Sequence, residues 1–431
     1  MEYDVIIVGA GPAGSTTARL CAKKGLRTLL IEKDRFPRYK PCGGYLSPRV
    51  LRELDFDIGG VIESSISEMK LTFRLKDPFS IVSQDPIGYV VMRESFDHLL
   101  CRKAQDEGAD LYEGRRVVGF QEDMEGVDVS IKGGESVRCR YLVGADGARS
   151  IVAQSLRGGV MRRAGVAFQG EGRLAGVKQR RWSFVHLDFG GVPYGYGWIF
   201  PKGSVVSTGI GVLFPSKGVN LKSRFERFIG CVDYIKGMNM ERTCFYPLPV
   251  FSAEDLPVSK GRVLLVGDAA NLIDPMTGEG ISYTVRSGKM AGEAIVSAIK
   301  GDQKGISRYR EALECTLFQD LTVALKLAKA VYRFPKLTYN VLKSNKNLGL
   351  LYLNILAGNA HYDAFSREMV EGIRRRLRGK SRPRLHYPWN LGKRRPTPFS
   401  SIGINGHDTE HGPSHFHSND SKEVFSTKPR K

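Results

Sequence analysis

The chain has 431 residues, which is enough to bury a sizeable core and to form two domains with additional segments. Hydrophobic residues make up 42% of it, as in soluble globular proteins, and no run of 18 apolar residues predicts a membrane-spanning helix. Seven scattered cysteines without a Cys-x-x-Cys pair argue against a disulfide framework, a zinc ribbon and an iron–sulfur cluster. A strand pattern begins almost at Met1 and leaves no room for a cleavable signal peptide, so we expect a cytoplasmic protein.

The formal charge of +20 is partly concentrated toward the C-terminus. Residues 366–431 hold 15 Lys and Arg against 6 Asp and Glu, a surplus of nine positive charges. Such a segment can bind nucleic acid, an anionic membrane surface or an acidic partner, or it can simply keep the protein soluble. No nucleic-acid recognition motif accompanies the charge, so we expect no nucleic-acid partner.

The first 32 residues have the pattern of a dinucleotide-binding βαβ unit. An apolar, β-branched run at 5–8 predicts a buried parallel strand, and helix and strand patterns follow at 12–24 and 28–31. Between the first strand and the helix, Gly9, Gly11 and Gly14 have the spacing that permits a tight turn and close approach to a pyrophosphate. Glu32 ends the second strand, where a carboxylate can bind an adenosine ribose.

Loops, helices and strands alternate up to residue 160. After a loop rich in proline and glycine, the pattern predicts a helix at 47–54, strands near 69–75 and 87–91, a helix at 93–107, and strands at 117–120, 127–131 and 140–145. Arg93 lies at a strand-to-helix junction, where its guanidinium can meet a phosphate or ribose, or it is a surface arginine. Asp146 and Gly147 follow a strand end, where open α/β sheets place ligands.

The pattern changes after residue 160 and returns near residue 260. Short alternating segments predict an antiparallel sheet in a second domain, with strands at 182–189, 196–200, 205–212 and 242–246. Near residue 260 a buried strand ends in Gly267-Asp268, and a loop with Gly278 and Gly280 leads into a helix at 282–299. Because the first pattern returns there, the first domain is predicted to be discontinuous.

The C-terminal part divides into a helical region and a tail. Residues 305–378 have helical patterns, and the apolar segment 348–357 is predicted to be core, with shallow membrane contact as the alternative. Beyond Lys380 the composition is rich in Pro, Ser, Gly, His and basic residues, which predicts disorder. Its histidines are interpreted as tail polarity, and we predict no metal site.

Three separated signatures resemble the FAD-containing flavoproteins of the p-hydroxybenzoate hydroxylase superfamily: the glycine loop with Glu32, Gly144-Ala-Asp-Gly147, and Gly267-Asp268. The resemblance implies bound FAD rather than NAD, with Glu32 on the adenosine ribose, Asp146 and Gly147 by the pyrophosphate, and Asp268 on the ribityl chain. It adds these cofactor-binding positions: Pro12, Ala13, Lys33, Cys42, Gly43, Gly44, Arg93, Val117, Gly278, Gly280 and Ile281.

Two further motifs resemble the geranylgeranyl reductase family within that superfamily. They are Lys40-Pro-Cys-Gly-Gly44, and Tyr196-Gly-Trp-Ile-Phe-Pro201 followed by Gly209-Ile-Gly211. That family reduces isolated double bonds in the polyprenyl chains of archaeal-type lipids, chlorophyll precursors or isoprenoid quinones. The resemblance therefore implies a polyprenyl lipid substrate, and either NAD(P)H or a ferredoxin-like protein as reductant. The basic tail is not part of the family pattern.

The same motifs give candidate catalytic and substrate-binding residues. Tyr194, Tyr196, Trp198 and Phe200 alternate along a predicted strand, so they either line one wall of an apolar substrate tunnel or form ordinary sheet core. Cys42 lies in a glycine loop that the family resemblance places near the flavin. Its thiol is a candidate proton donor, a residue that shapes the substrate pocket, or a small packing residue.

We therefore predict an α/β fold with a discontinuous Rossmann-type FAD-binding domain, an inserted antiparallel β-sheet substrate domain and a C-terminal helical region. The predicted FAD-binding segments are 1–65, 90–160 and 257–304; the sheet domain is 66–89 and 161–256; the helical region is 305–379 and the tail 380–431. The predicted activity is FAD-dependent reduction of polyprenyl C=C bonds, with an FAD-dependent monooxygenase or halogenase as the alternative. Peripheral association with the inner face of an anionic membrane, and a redox partner protein, are further expectations.

Overall fold

The computed structural model describes residues 2–159, 165–173, 182–214, 218–252, 257–302 and 304–378. Up to residue 159 the elements are β1 (Tyr3–Val8), α1 (Pro12–Lys23), β2 (Thr28–Glu32), β3 (Tyr45–Leu46), α2 (Pro48–Glu53), β4 (Ile62–Ile66), β5 (Glu68–Phe73), β6 (Lys76–Val82), β7 (Gly88–Val91), α3 (Arg93–Asp106), β8 (Asp110–Glu113), β9 (Val117–Glu122), β10 (Val127–Ile131), β11 (Ser136–Gly144) and α4 (Ile151–Leu156).

The remaining elements complete two sheets and a helical region. They are β12 (Gly165–Arg173), β13 (Phe184–Phe189), β14 (Gly195–Lys202), β15 (Val205–Val212), α5 (Leu221–Gly230), β16 (Asn239–Leu248), β17 (Ser259–Lys260), β18 (Val263–Leu265), α6 (Ile281–Ile299), α7 (Gly305–Leu313), α8 (Gln319–Arg333), α9 (Pro335–Ser344), α10 (Lys346–Ala357) and α11 (Tyr362–Leu377). A π-helical turn, Glu314–Phe318, joins α7 to α8. The predicted tail, 380–431, with its histidines, lies outside the described residues.

The first sheet is the predicted dinucleotide-binding sheet. Its strands run in the order β17-β18-β11-β1-β2-β8, and β10 and β9 continue antiparallel from β11. The pairs of β1 with β11 and β2, of β2 with β8 and of β11 with β18 are all parallel. Since β1 and β2 are buried and apolar along most of their length, they fit between helices on both faces. The Rossmann-type part of the predicted fold is confirmed.

The second sheet has the strand order β16-β12-β15-β14-β13-β5-β6. Its pairs are antiparallel, as predicted, except that β13 and β5 run parallel. The parallel pair arises because β5 enters the sheet from a separate, earlier segment of the chain and not through a hairpin. The sequence patterns also missed β6 and β12. β12 contains three glycines, and buried Gln169 and Glu171 stand in place of an apolar alternation.

The C-terminal helices α8–α11 pack on this second sheet. A shared hydrophobic cluster joins Leu71 and Leu187 of the sheet to Leu348, Leu353 and Phe365 of the helices. Leu348 is fully buried and Leu353 is 4% exposed, so most of the segment 348–357 lies in the core, as predicted, although Leu350 is 44% exposed. Among the described residues, no helix is both long and apolar enough to cross a membrane.

A small third sheet, β3-β7-β4, carries the predicted Cys42 loop next to the two larger sheets. Its strands share a hydrophobic cluster with α2, α3 and the first turns of α6. The predicted fold class, α/β with sheet and helical additions, is confirmed. The predicted domain boundaries stay a prediction.

Candidate functional site

The glycine loop between β1 and α1 forms a close-packed backbone turn. Gly9 has φ +100°, and a Cβ there would lie 2.5 Å from the carbonyl oxygen of Ala145. A Cβ on Gly14 would collide with the carbonyl oxygen of Gly9. A Cβ on Gly11, in contrast, would meet only the Arg38 guanidinium, at 3.9 Å. The loop therefore offers open backbone N–H groups at a helix N-terminus, an arrangement that suits a phosphate group.

Glu32 faces this loop from the end of β2. Its carboxylate accepts a hydrogen bond from the Ala10 N–H at 3.0 Å, and Arg38 Nε lies 3.2 Å from the same oxygen, Oε2. Arg38 also pairs with Asp97 at 3.0 Å, and Asp97 is held by Arg93 at 2.8 Å. A buried chain of alternating charges thus links the glycine loop to the start of α3.

Arg93 is the predicted site residue whose surroundings differ most from expectation. It is 8% exposed, and its Nε and one terminal nitrogen donate to both oxygens of Asp97. Its guanidinium also lies near the Cys42 side chain. It is therefore not a surface arginine. Sequence patterns missed Arg38 and Asp97, because neither belongs to a motif and their pairing links residues far apart in sequence.

Two predicted positions lie at the edge of this region. Lys33 directly follows β2 and is exposed, whereas Val117 begins β9 and is 4% exposed. Pro12 and Ala13 form the buried first turn of α1.

Asp146 and Gly147 follow β11 beside the glycine loop. The Asp146 carboxylate accepts hydrogen bonds from the Ser150 hydroxyl and from the Ile151 N–H at 2.7 Å, so it supports the N-terminus of α4, which Ser150 caps. Burial raises the pKa of Asp146. A Cβ on Gly147 would lie 3.5 Å from Lys40 Nζ, and Lys40 hydrogen-bonds Tyr246 of β16. This turn therefore lies where the first sheet meets the second.

Asp268 and the loop that follows it form another side of the site. The Asp268 carboxylate is half-buried and has no hydrogen bond or ion pair with any described residue. A Cβ on Gly280, at the start of α6, would lie 3.7 Å from its Oδ1. Ile281 begins α6 and is buried. An unpartnered carboxylate beside a helix start is available to accept hydrogen bonds from a hydroxylated ligand.

The loop 272–280 is fixed by a buried carboxylate that the sequence did not indicate as important. Asp274 is 3% exposed and accepts hydrogen bonds from Tyr362 at 2.7 Å, Tyr283 at 3.1 Å and the Met276 N–H at 2.7 Å. Burial raises its pKa, and these donors oppose that effect. Since Tyr362 belongs to α11, the C-terminal helices help to hold the loop that contains Gly278.

Cys42 lies in a tight loop against the second sheet. The Cys42 sulfur accepts a hydrogen bond from the Gly44 N–H at 3.3 Å. Gly44 has φ +74°, and a Cβ there would collide with the Val91 carbonyl oxygen. A Cβ on Gly43 would lie 2.7 Å from the Phe200 ring. The loop therefore needs both glycines to approach the sheet this closely.

A buried ion pair supports this loop. Lys202 Nζ lies 2.6 Å from Glu171 Oε1, and the two side chains are only 1% and 7% exposed. The same ammonium donates to the Cys42 carbonyl oxygen at 3.0 Å. No sequence pattern indicated this pair, because the partners lie on different strands and are 31 residues apart in the sequence.

The sheet face toward these loops, which we call the inner face, has two halves. Directly paired residues share a face. The polar half lies on β12, β15, β16 and the end of β14 and contains Gln169, Glu171, Lys202, Ser207 and Arg242. The apolar half lies on β5, β13 and the start of β14 and contains Leu71, Leu187, Phe189 and Tyr196. Trp198 lies between the halves, and its buried Nε1 has no hydrogen-bond partner among the described residues.

The apolar half is one wall of a narrow cavity lined mostly by apolar side chains. The other wall is formed by α8, α9, α10 and α11. The lining residues are Leu71, Leu187, Phe189, Tyr196, Met276, Val331, Tyr332, Pro335, Thr338, Tyr339, Leu342, Tyr352 and Phe365. Of the four aromatic residues named from the sequence, Tyr196 is among them, whereas Tyr194, Trp198 and Phe200 are not.

Tyr196 contacts both the cavity and the loop 272–280. Its ring lines the cavity, and its hydroxyl donates to the Thr277 carbonyl oxygen. A Cβ on Gly278 would lie 2.7 Å from the same hydroxyl. The apolar cavity therefore ends at the loop 272–280, next to the dinucleotide-type site.

The residues present fit a flavin dinucleotide. The glycine turn leaves open N–H groups at a helix start, Glu32 lies at the second strand end, and the unpartnered Asp268 carboxylate faces the start of α6. These are donors and acceptors suited to phosphate, ribose and polyol groups.

Comparison with known proteins agrees with this interpretation. Residues 2–177 match the family described as FAD binding domain. The chain is 32% identical over 358 residues to a menaquinone reductase of Mycobacterium tuberculosis, covering 77% of this chain and 85% of that protein. It is 31% identical over 336 residues to digeranylgeranylglycerophospholipid reductase 1 of Methanopyrus kandleri, covering 73% and 86%.

Solved structures show the same fold. A geranylgeranyl bacteriochlorophyll reductase-like protein from Thermoplasma acidophilum has a TM-score of 0.70 and 26% identity, covering 86% of this chain and 95% of that chain. The flavin-dependent brominase Bmp2 has a TM-score of 0.68 at 22% identity, covering 88% and 100%, a likeness that shows the fold alone. With the flavin-type site and these relatives, the chain is an FAD-dependent oxidoreductase and belongs to the geranylgeranyl reductase family.

Proposed function

We propose that this protein saturates C=C bonds in a polyprenyl chain by hydride transfer from reduced FAD. The observation that carries the proposal is the position of Tyr196. Its ring lines the apolar cavity while its hydroxyl holds the loop that contains Gly278. An unactivated alkene must lie against the flavin to be reduced, and an apolar chain bound in this cavity would reach the loop that contains Gly278.

The cofactor would be held by the residues predicted from the sequence. The glycine loop at 9–14 and Gly147 would contact the pyrophosphate, Glu32 the adenosine ribose and Asp268 the ribityl chain. Gly278, Gly280 and Ile281 would lie along the isoalloxazine, and the Gly43-Gly44 turn would lie near it. When bound and reduced, FAD supplies a hydride to the substrate.

The substrate class follows from the cavity lining. Most of its residues are apolar, so a hydrocarbon chain gains about 25 cal/mol for each Å² of apolar surface that it buries there. The names of the relatives, menaquinone reductase and digeranylgeranylglycerophospholipid reductase, refer to molecules that share a polyprenyl chain but differ in head group. A polyprenyl lipid is therefore the proposed substrate.

Cys42 is proposed to supply or relay the proton that the alkene requires. Its sulfur lies in the loop that approaches Phe200 and the Arg93 guanidinium. Replacement of Cys42 by Ala is expected to leave FAD bound and to lower alkene reduction at least tenfold. The exposed Cys231 provides a matched control, since Cys231→Ala should change neither property. Full activity of Cys42→Ala would remove the thiol from the mechanism.

The reductant is proposed to dock transiently, as NAD(P)H or a ferredoxin-like protein. The sequence contains one glycine fingerprint of the dinucleotide type, and FAD would occupy it. Reduction of the bound flavin by NADPH, by NADH and by reduced ferredoxin under nitrogen distinguishes these donors.

The proposed reaction is tested by anaerobic incubation of dithionite-reduced protein with a geranylgeranyl lipid, followed by mass spectrometry. We expect a gain of two hydrogens for each bond reduced, without oxygen or halide. A product formed only with oxygen, or only with oxygen and bromide or chloride, would replace the proposal with a monooxygenase or halogenase.

A further inference from the structure

The helices that cover the cavity form a stretch of chain without acidic residues. Between Asp320 and Asp363 the 42 residues contain no Asp or Glu. They contain six basic residues: Lys326, Lys329, Arg333, Lys336, Lys343 and Lys346. Such a separation of charge within one region favours contact with an anionic partner.

Four of these basic residues surround an exposed aromatic side chain. Lys326, Lys329 and Arg333 are spaced i, i+3 and i+7, so they share one exposed face of α8. Lys336 is exposed on the first turn of α9. Phe334, between the two helices, is 59% exposed, and the Arg333 guanidinium lies 5.8 Å from its ring centroid. We call these five residues the docking corner.

The docking corner lacks neutralising partners within the described residues. Lys326, Lys329 and Lys336 form no ion pair there, whereas Lys343, further along α9, is paired with Asp77. The charges of the corner are therefore available to an external anion.

The docking corner also adjoins the cavity. Val331 and Tyr332, just before Phe334, and Pro335, just after it, all line the cavity. A surface that contacts this corner is consequently within a few residues of the cavity wall. An acidic protein would match the charge of the docking corner. An anionic bilayer matches both the charge and the exposed Phe334, because it has an apolar interior beneath its head groups.

We propose that the docking corner binds the surface of an anionic lipid bilayer, with Phe334 inserted among the lipid chains. Basic residues near such a surface each strengthen binding about fivefold, and one inserted aromatic ring adds apolar burial. This inference rests on the proposed function and deepens it, since it would bring the cavity wall close to the bilayer that holds a polyprenyl lipid.

The test is co-sedimentation of the full-length, FAD-loaded protein with vesicles of phosphatidylcholine alone or with 30% phosphatidylglycerol. The first variant replaces the four basic residues of the docking corner: Lys326→Gln, Lys329→Gln, Arg333→Gln and Lys336→Gln. Its partition coefficient to the anionic vesicles is expected to fall at least tenfold. A matched variant removes four exposed charges on the dinucleotide-binding side: Lys24→Gln, Arg102→Gln, Arg116→Gln and Lys132→Gln. It should keep most of its binding.

Phe334→Ser is expected to weaken binding to anionic vesicles about threefold or more while flavin content stays unchanged. Equal losses in the two charge variants, or unchanged binding by Phe334→Ser, would overturn the proposal. Sedimentation needs no turnover, so failure of the docking corner and failure of alkene reduction are separate results.

Discussion

The two halves of the inner sheet face bury their side chains for different reasons. In the polar half, Lys202 and Glu171 lie within 2.6 Å of each other and hold the Cys42 loop. In the apolar half, Leu71 and Leu187 leave a cavity open to the C-terminal helices. One continuous sheet thus supports the Cys42 loop at one end and lines an apolar cavity at the other. We propose that the polar half holds the Cys42 loop in place and that the apolar half binds the substrate chain.

The two halves should respond differently to substitution. In the polar half, removal of one charged side chain should destabilise the fold, because its partner is left as an unpaired buried charge. Residues around the cavity contribute mainly the apolar surface that a ligand would bury. A substitution there should therefore change the affinity for a ligand more than the stability of the fold. The substitutions below test this difference.

Lys202→Met should produce the largest effect. It leaves the Glu171 carboxylate buried without its cation and should lower the free energy of unfolding by about 3–5 kcal/mol. Urea denaturation followed by circular dichroism measures this loss. The double variant Lys202→Met, Glu171→Met should recover most of it, because no unpaired charge remains.

A loss below about 1 kcal/mol in the single variant would contradict a structural role for the pair. The double variant also removes the donor to the Cys42 carbonyl. We therefore expect faster alkylation of Cys42 by iodoacetamide even though stability recovers.

The sheet face opposite the apolar half contains a buried carboxylate, Asp188, whose titration should change the free energy of unfolding. Asp188 accepts hydrogen bonds from Thr72 at 2.7 Å and the Leu75 N–H at 2.6 Å, and burial raises its pKa from 3.8 to about 6. Nearby His186 is also buried, which lowers its pKa to about 4, so its ring is neutral at pH 6. Arg74 is the charged group that opposes the shift of Asp188.

The folded state keeps the Asp188 proton to higher pH than the unfolded state. The raised pKa therefore stabilises the fold, and this stabilisation is complete below about pH 4. It is lost as the pH rises to about 6, by at most about 3 kcal/mol. Relative to Asp188→Asn, the wild-type free energy of unfolding should fall over this range. Parallel curves for the two proteins would disprove the raised pKa, and flavin content should not differ.

Leu342→Asn tests the cavity itself. Leu342 lines it, so the new amide should weaken binding of a hydrocarbon chain by about 1–2 kcal/mol, or roughly tenfold in KM, with kcat nearly unchanged. Leu337→Asn is the control on the same helix, because Leu337 is also partly buried but does not line the cavity. Steady-state kinetics with a geranylgeranyl lipid compares them. Equal KM values for both variants would show that the chain binds elsewhere.

Tyr196→Phe should have the smallest effect, since it changes only the boundary between the halves. It keeps the ring in the cavity and removes the hydrogen bond to the Thr277 carbonyl, at a cost of about 1 kcal/mol. We expect a modest loss of stability and a change in the flavin absorption spectrum. An unaltered spectrum would mean that the loop 272–280 does not depend on this contact.

Local sequence signals predicted the dinucleotide-binding half of the molecule well. The strand at 5–8, the glycine spacing and Glu32 all lie within one continuous segment, so their spacing reveals the geometry. The sequence also predicted that the chain returns to the first sheet near Gly267-Asp268, because a buried strand pattern there again ends in a glycine-containing turn. In both places the local pattern and the tertiary position agree.

The polar half and the cavity were not predictable in the same way. Glu171 and Lys202 become partners only when β12 and β14 join one sheet, and β12 itself lacks an apolar alternation. The cavity wall formed by Val331 and Thr338 depends on how α8 and α9 pack on β5 and β13. Long-range pairing of this kind leaves no periodic signal in the sequence.

The central claim is that a reduced flavin and a polyprenyl chain meet at Tyr196. The most direct measurement is stopped-flow absorption of the dithionite-reduced protein, mixed under nitrogen with a geranylgeranyl lipid or its saturated counterpart. The account predicts reoxidation of the flavin by the unsaturated lipid alone, slowed by Leu342→Asn at subsaturating lipid. A flavin that stays reduced with both lipids and is reoxidised only by oxygen would contradict it.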